Sequence, residues 1–182
     1  MDLAPGVLLV AEPALLDPNF RRSVVLICDH NADGSFGLIL NRPTEFRLPD
    51  VLDEPVGMEH LLYFGGPVQT DTLHYLHPYA DEVEHAVSVL DGVGWGGPFD
   101  VIVEQVRSGA LDGDALRFFV GYAGWGDEQL AEEVGEGSWV VLPASAARVF
   151  EDDPAVLWRE IMRDLGGEYA LLSNYPDDPQ MN

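Results

Sequence analysis

An α+β fold in a single domain is what this sequence predicts, and three observations lead there. Strand-like and helix-like segments interleave irregularly rather than as a strict strand–helix–strand series. The 182 residues, 47% of them hydrophobic, suffice for one substantial core and are short for two. No internal repeat or low-complexity tract breaks the pattern, so residues 1–176 read as one domain and 177–182 as a polar tail without apolar spacing, expected to fray.

The elements follow in order. Gly6 to Ala11 and Ser23 to Asp29 are short aliphatic, β-branched runs bounded by Pro, Asp and Asn, the pattern of buried strands. Between them Pro13 to Arg22 reads as a turn. Asp33-Gly34 joins the second run to Phe36–Leu40, and an Asp-Gly pair between apolar runs predicts a tight hairpin. After Asn41-Arg42-Pro43 the chain reads as irregular, with one helical turn at Leu48–Leu52. Leu61–Phe64 is a strand stopped by Gly65-Gly66-Pro67, and Leu73–Leu76 and Ala86–Leu90 are further strands. Phe99, Ile102, Val103 and Val106 fall at helical spacing, with Pro98 at the first position and Gly109 just beyond the end.

Leu116–Tyr122 is again a strand, followed by a glycine-dense turn, Gly121 to Gly126, that holds Tyr122 and Trp125. Three glycines there permit positive φ and close backbone approach, which predicts a shaped surface. Asp127–Val134 is a helix capped by Asp127, and Trp139–Leu142 a strand. In the last element Asp153 caps, Pro154 enters, Leu157, Trp158, Ile161, Met162 and Leu165 form one stripe, and Gly166-Gly167 end it.

Charge limits the partners. With 32 acidic residues against 9 basic ones the formal charge is −23, and every basic residue is an arginine. A nucleic-acid binder concentrates positive charge where phosphates lie. Here the arginines are scattered in sequence; only Arg21-Arg22 are adjacent, and direct nucleic-acid binding is not expected. The lone Cys28 rules out an intramolecular disulfide, no signal core precedes Glu12 and no window reaches membrane-span length, so a cytoplasmic protein without membrane contact is expected.

Several segments could carry chemistry. Cys28 and His30 sit two apart on a strand, on one face but about 6–7 Å apart at Cα, which favours a structural cysteine over a nucleophile–base pair. His74 and His77, three apart on a strand, point to opposite faces and complete no metal set; no metal is expected. His60 and His85, each beside a glutamate, read as solvated. Gly65-Gly66-Pro67-Val68 lacks the lysine of a phosphate loop and the spaced glycines of a dinucleotide turn, so no cofactor is expected. Asp127, Glu128, Glu132, Glu133 and Glu136 read as a solvated helix face. Arg42 differs in kind: an arginine at a strand end, its approach fixed by Pro43, offers a planar fork of donors to a carboxylate or phosphate, against the plainer reading of an ion pair within the chain.

Taken together, Leu8–Pro13, Asp17–Val24, Cys28-Asp29-His30, Gly37–Pro43, Gly65–Val68, and Gly121–Gly126 with Gln129-Leu130 resemble the YqgE/AlgH family in number, order and spacing. Two departures stand out: Asp127-Glu128 precede the Gln-Leu pair where that family has a glycine, and Ala131 replaces an acidic residue. The resemblance implies a bifurcated, mostly antiparallel sheet curled into a partial barrel with helices outside, and a putative-transcriptional-regulator label without an established activity. The expectation is therefore a non-catalytic regulatory or interaction protein. Its partner is a protein or a small anionic ligand, met by His30, Asn41, Arg42, Gly65, Gly66, Pro67, Tyr122, Gly124 and Trp125 in one cleft. The alternative is a hydrolase using His30 as base with Asn41 and Arg42.

Overall fold

The computed structural model describes residues 1–176. The tail expected to fray, 177–182, lies outside the described residues.

Strand β1 (Val7–Ala11) is buried throughout because both its faces are covered: Leu8 and Val10 join one apolar cluster, Val7, Leu9 and Ala11 another. The next strand, β2 (Val24–Asn31), keeps the same alternation, sending Val24, Leu26 and Cys28 to the first cluster and Val25 and Ile27 to the second. It turns back into β3 (Gly34–Ile39) as predicted, except that Ala32 and Asp33 form the loop while Gly34 already pairs with Asn31. A shift in register between Ile27 and Asp29 makes Cys28 the extra residue of a bulge.

The remaining strands are β4 (Pro43–Arg47), β5 (Leu61–Phe64), β6 (Val68–His77), β7 (Val87–Leu90), β8 (Val93–Trp95), β9 (Arg117–Gly126) and β10 (Trp139–Pro143). They form one sheet in the order β10-β1-β2-β3-β9-β6-β8-β7, with β4 and β5 branching from β9. Pairing is antiparallel except that β5 runs parallel to β9. This is a single-domain α+β fold whose curled sheet forms a half-barrel.

The branch point is β9. Its Ala123–Gly126 half pairs with β3, while Phe118–Val120 pairs with β5 and Arg117–Tyr122 with β6. Gly121 makes the switch. Before it Phe119 joins the Leu8 cluster; after it Tyr122 packs there and Ala123 and Trp125 enter the second cluster. Phe119 and Tyr122 are three positions apart rather than two, so the strand changes phase at Gly121, whose φ of +69° is open to glycine and strained for other residues. The Gly121–Gly126 segment is accordingly strand, not the predicted turn, because β3 supplies it with a ladder partner.

Five α-helices are described: α1 (Phe99–Arg107), α2 (Gln129–Gly135), α3 (Ala146–Val149), α4 (Leu157–Leu165) and α5 (Gly167–Leu172). Leu157, Trp158, Ile161 and Met162 of α4 pack into the Leu8 cluster, whereas Leu165 is left exposed. Leu130 of α2 closes the second cluster, and Ile102 and Val103 of α1 close a third with Leu62 and Phe118. The predicted caps are corrected. Pro98 precedes α1 rather than opening it, Asp127 yields the cap position of α2 to Glu128 in left-handed conformation, and Asp153 caps with no side-chain bond before a 3-10 turn over Pro154–Val156. Not predicted were β4, β8, α3 and α5. In β4 the exposed Pro-Thr-Glu-Phe-Arg run has no buried alternation and becomes strand through its pairing with β5; α5 restarts immediately after the Gly166 stop and buries no residue.

Candidate functional site

The Asn41-Arg42-Pro43 block lies just beyond β3 and spends its polar groups on backbone. Asn41 Oδ1 accepts the Val24 N–H at 2.8 Å and Nδ2 donates to the Arg22 carbonyl at 2.9 Å, closing the entry to β2. Arg42 Nη1 donates to the carbonyls of Pro18 (3.2 Å) and Asn19, and Nη2 to that of Arg21 at 2.8 Å. Its fork therefore clamps the Pro18–Arg21 turn, rather than an acidic side chain as the plainer reading of an ion pair had it.

That clamp sets Phe20 against the aromatic motif. The Phe20 ring lies 5.9 Å from Trp125 and 5.7 Å from Trp139, which are 6.0 Å from each other. Both indoles donate to one carboxylate oxygen, Glu133 Oε2, at 2.9 and 2.8 Å, and Gln129 Nε2 donates to Oε1 at 3.0 Å. Glu133 is thus an internal acceptor for two tryptophans, not part of the solvated face expected of α2.

Gly65 and Gly66 form a backbone crossing. Gly65 N–H donates to Val120 and its carbonyl accepts from Ile39, while a Cβ on Gly66 would stand 2.1 Å from the Tyr122 carbonyl carbon. Pro67 follows this junction and leads into β6. Tyr122 stacks on Phe36 (4.6 Å between centroids), which stacks on Trp95 (4.5 Å), with His74 edge-on to Phe36 at 5.2 Å. His30 bonds through Nδ1 to Ser35 Oγ at 2.8 Å across the β2–β3 ladder.

These residues do not share one cleft. Asn41 and Arg42 line a cavity of about 420 Å³; Tyr122, Gly124 and Trp125 line another of about 430 Å³; His30 lines a third of about 310 Å³ with Asp127 and Glu128. The common recognition surface expected from the sequence is corrected: the Trp125 and His30 openings adjoin, sharing Asn31, Gly34 and Ser35, but neither shares a residue with the pocket of Asn41 and Arg42, and His30 is not brought into that pocket.

The first cavity holds what the sequence reading missed. Arg21, Arg22, Arg42 and Arg159 all line it, four of the chain's nine basic residues, and no carboxylate of the described residues does. Arg22 lies over the Trp158 ring, 4.9 Å from its centroid. Burial, and next the charge of Arg21, lower the Arg42 pKa from its ordinary value, with Asp17 opposing; the second cause reports crowding of like charge. The adjacent Arg21-Arg22 pair was the signal available in sequence. Arg159 was not legible because only the docking of α4 brings it there.

The other candidates are settled locally. Cys28 is buried, and burial followed by the Asp29 charge raises its thiol far above the ordinary value, so no thiolate nucleophile forms. His77 is buried between the Gly96 carbonyl, 2.8 Å from Nε2, and the Tyr79 N–H, 3.2 Å from Nδ1. His85 is solvated as expected. His60 is not: Nε2 bonds the Gly113 carbonyl at 2.8 Å, the ring sits edge-on to Phe118 at 5.2 Å, and Nδ1 is buried without a partner among the described residues. No helix of the described residues is long and apolar enough to cross a membrane.

Comparison with known proteins agrees with this architecture. The chain is similar to a UPF0301 protein of Chlorobium limicola, 42% identical over 99% of this chain and 96% of that one, and to one of Chlorobaculum tepidum, 43% identical over the same shares. Its fold matches the crystal structure of a Corynebacterium diphtheriae protein (TM-score 0.83, 27% identity, 96% of this chain and 94% of that one). It also matches the solution structure of AlgH from Pseudomonas aeruginosa (TM-score 0.74, 28% identity, 98% and 100%). With the model of the AlgH-like family, DUF179, matching residues 8–170 as well, the chain belongs to that family.

Proposed function

We propose that this chain is a non-catalytic regulatory or interaction protein of the cytoplasm whose working part is the arginine pocket, and that the pocket takes a small multivalent anion, a carboxylate or phosphate. The observation that carries this reading is the gathering of Arg21, Arg22, Arg42 and Arg159 around one cavity that no carboxylate of the described residues lines, in a chain of charge −23. Guanidinium forks match planar and tetrahedral oxyanions with paired donors. A local positive hollow in an acidic surface also selects small anions over polyanions, since the surrounding field repels a nucleic acid before it can dock. Asn41 and Arg42 serve the pocket by fixing the turn from which Arg21 projects.

Calorimetric titration with pyrophosphate and with citrate tests the reading. Arg21 is exposed and its guanidinium makes no hydrogen bond or ion pair among the described residues, so Arg21→Ala, which keeps the backbone bonds to Asp17 and Arg42, leaves the fold intact and weakens binding about tenfold, the loss of one charge-assisted contact. Equal affinity of wild type and variant, or binding of neither anion, rejects it.

A further inference from the structure

The four arginines of the cavity are not equally available to a ligand. Arg42 spends Nη1 and Nη2 on the carbonyls of Pro18, Asn19 and Arg21. Arg22 stands at a φ of +53°, a left-handed backbone that residues other than glycine seldom adopt, beside the two bonds by which Asn41 holds the Arg22 carbonyl and the Val24 N–H. From there its guanidinium covers the Trp158 ring, and Nη2 donates to the carbonyls of Tyr175 at 2.7 Å and Pro176 at 3.2 Å. Arg42 and Arg22 therefore build the wall. Arg21 is exposed and its guanidinium makes no hydrogen bond or ion pair among the described residues. Arg159, also exposed, donates through Nε to the Ser173 carbonyl at 3.2 Å and keeps both Nη groups without a partner among the described residues. A ligand thus meets one guanidinium from the turn before β2 and one from α4.

The same opening has an apolar side. Pro18 and Ala155 are exposed, Val156 is half-buried, and all three line it. Ala155 and Val156 belong to the 3-10 turn that leads into α4, four and three positions before Arg159, so an apolar patch borders the α4 donor. At about 420 Å³ the cavity falls in the range of small-molecule sites, about 300–1,000 Å³, and exceeds what a lone oxyanion fills.

We propose that the ligand is a phosphate monoester with an apolar or aromatic ester group, its phosphate seated between the Arg21 and Arg159 forks and its ester group against Pro18, Ala155 and Val156. This rests on the anion-binding reading above and narrows it. A phosphate monoester carries about −1.5 to −2 charges at pH 7 and presents three strong acceptor oxygens, enough for two guanidinium forks at once. A monocarboxylate brings one charge and two oxygens. The ester group adds affinity by taking water off its own surface and off the exposed Pro18 and Ala155 side chains, a gain open to no inorganic anion.

Calorimetric titration of the full chain with phenyl phosphate, inorganic phosphate and pyrophosphate tests the proposal. Wild type is expected to bind phenyl phosphate about tenfold more tightly than inorganic phosphate, the gain from burying roughly half of a phenyl ring. Val156→Thr keeps the side-chain shape but sets a hydroxyl in the apolar side, and is expected to cut that preference to about threefold with inorganic phosphate unchanged. Arg21→Ala and Arg159→Gln, both at exposed positions, are expected to weaken the two phosphates alike and preserve their ratio. Phenyl phosphate bound no more tightly than inorganic phosphate, or a preference that Val156→Thr leaves at its wild-type value, overturns the apolar ester, while binding of pyrophosphate keeps the anion site standing. An Arg159→Gln protein that binds both phosphates as wild type does overturns the seat between the two forks. Binding of none of the three compounds sinks the anion reading and this proposal together.

Discussion

Arg42 and Glu133 illustrate how a side chain that looks functional in sequence can act on the chain's own backbone and rings. Arg42 was legible as a fork at a strand end; its acceptors were not, because Pro18, Asn19 and Arg21 contribute only carbonyls, which every residue has. Glu133 looked like one of several solvated acids until the fold put two indole N–H groups on one of its oxygens. Replacing it by alanine leaves both donors without an acceptor, and Glu133→Ala is expected to lower stability by about 2 kcal/mol in chemical denaturation, with Glu133→Gln costing less because one oxygen remains. A loss no larger than that of an exposed helix glutamate would contradict this role.

His77 belongs to the same scale. Burial, outweighing the Gly96 bond and the Glu82 charge, lowers its pKa below the ordinary 6.5, and burial lowers that of His74 as well. Above pH 6.5 folded and unfolded states both carry neutral imidazoles and the full stability is present. Below it the unfolded chain takes up protons that the folded chain refuses, so stability falls until the depressed folded value is reached. The melting temperature of wild type is therefore expected to drop relative to that of His77→Asn between pH 7 and pH 5; parallel curves would show that His77 titrates alike in both states.

At the scale of elements, β9 carries the architecture. It serves β3 along one half and β5 and β6 along the other, and the change of phase at Gly121 lets one strand feed three apolar clusters. A Cβ on Gly121 would approach the Gly66 carbonyl oxygen to 2.4 Å at a φ of +69°. Both strain and collision oppose it, and Gly121→Ala is expected to cost about 3 kcal/mol or more. Gly135, at the end of α2 with nothing within 4 Å of its would-be Cβ, is the control: Gly135→Ala should change stability by no more than about 1 kcal/mol, in the favourable direction. Similar losses at both positions, read from urea midpoints, would remove Gly121 from its place as the switch.

Over the whole molecule the dominant fact is the charge of −23. Nine arginines stand against 32 acidic residues; Arg42, Arg47, Arg107, Arg117 and Arg159 direct guanidinium donors at backbone carbonyls, while Arg148 pairs with Asp164 at 3.0 Å. Self-repulsion among the acids therefore works against the compact state. Raising NaCl from 10 to 200 mM at pH 8 shortens the screening length from about 30 Å to below 10 Å and is expected to raise the melting temperature by about 2–4 °C, the equivalent of about 1 kcal/mol at this size. A flat or falling dependence would mean that the acids are already compensated within the fold.

By itself the sequence determined what depends on local pattern: the buried strands β1 and β2, the hairpin into β3, the helices α1 and α4 with their apolar stripes, and, through blocks quoted in order, the family. Period, turn residues and close glycines are written in neighbouring positions, so they can be read without coordinates. Only the tertiary structure decided that Gly121–Gly126 is strand, that Pro43–Arg47 pairs at an edge, that Phe20 meets Trp125, and that Arg159 joins Arg21, Arg22 and Arg42 around one cavity. Each of these turns on a partner far along the chain. Backbone carbonyls and scattered arginines carry no signature of the partner they meet, so the packing of the sheet and α4 had to bring them together first.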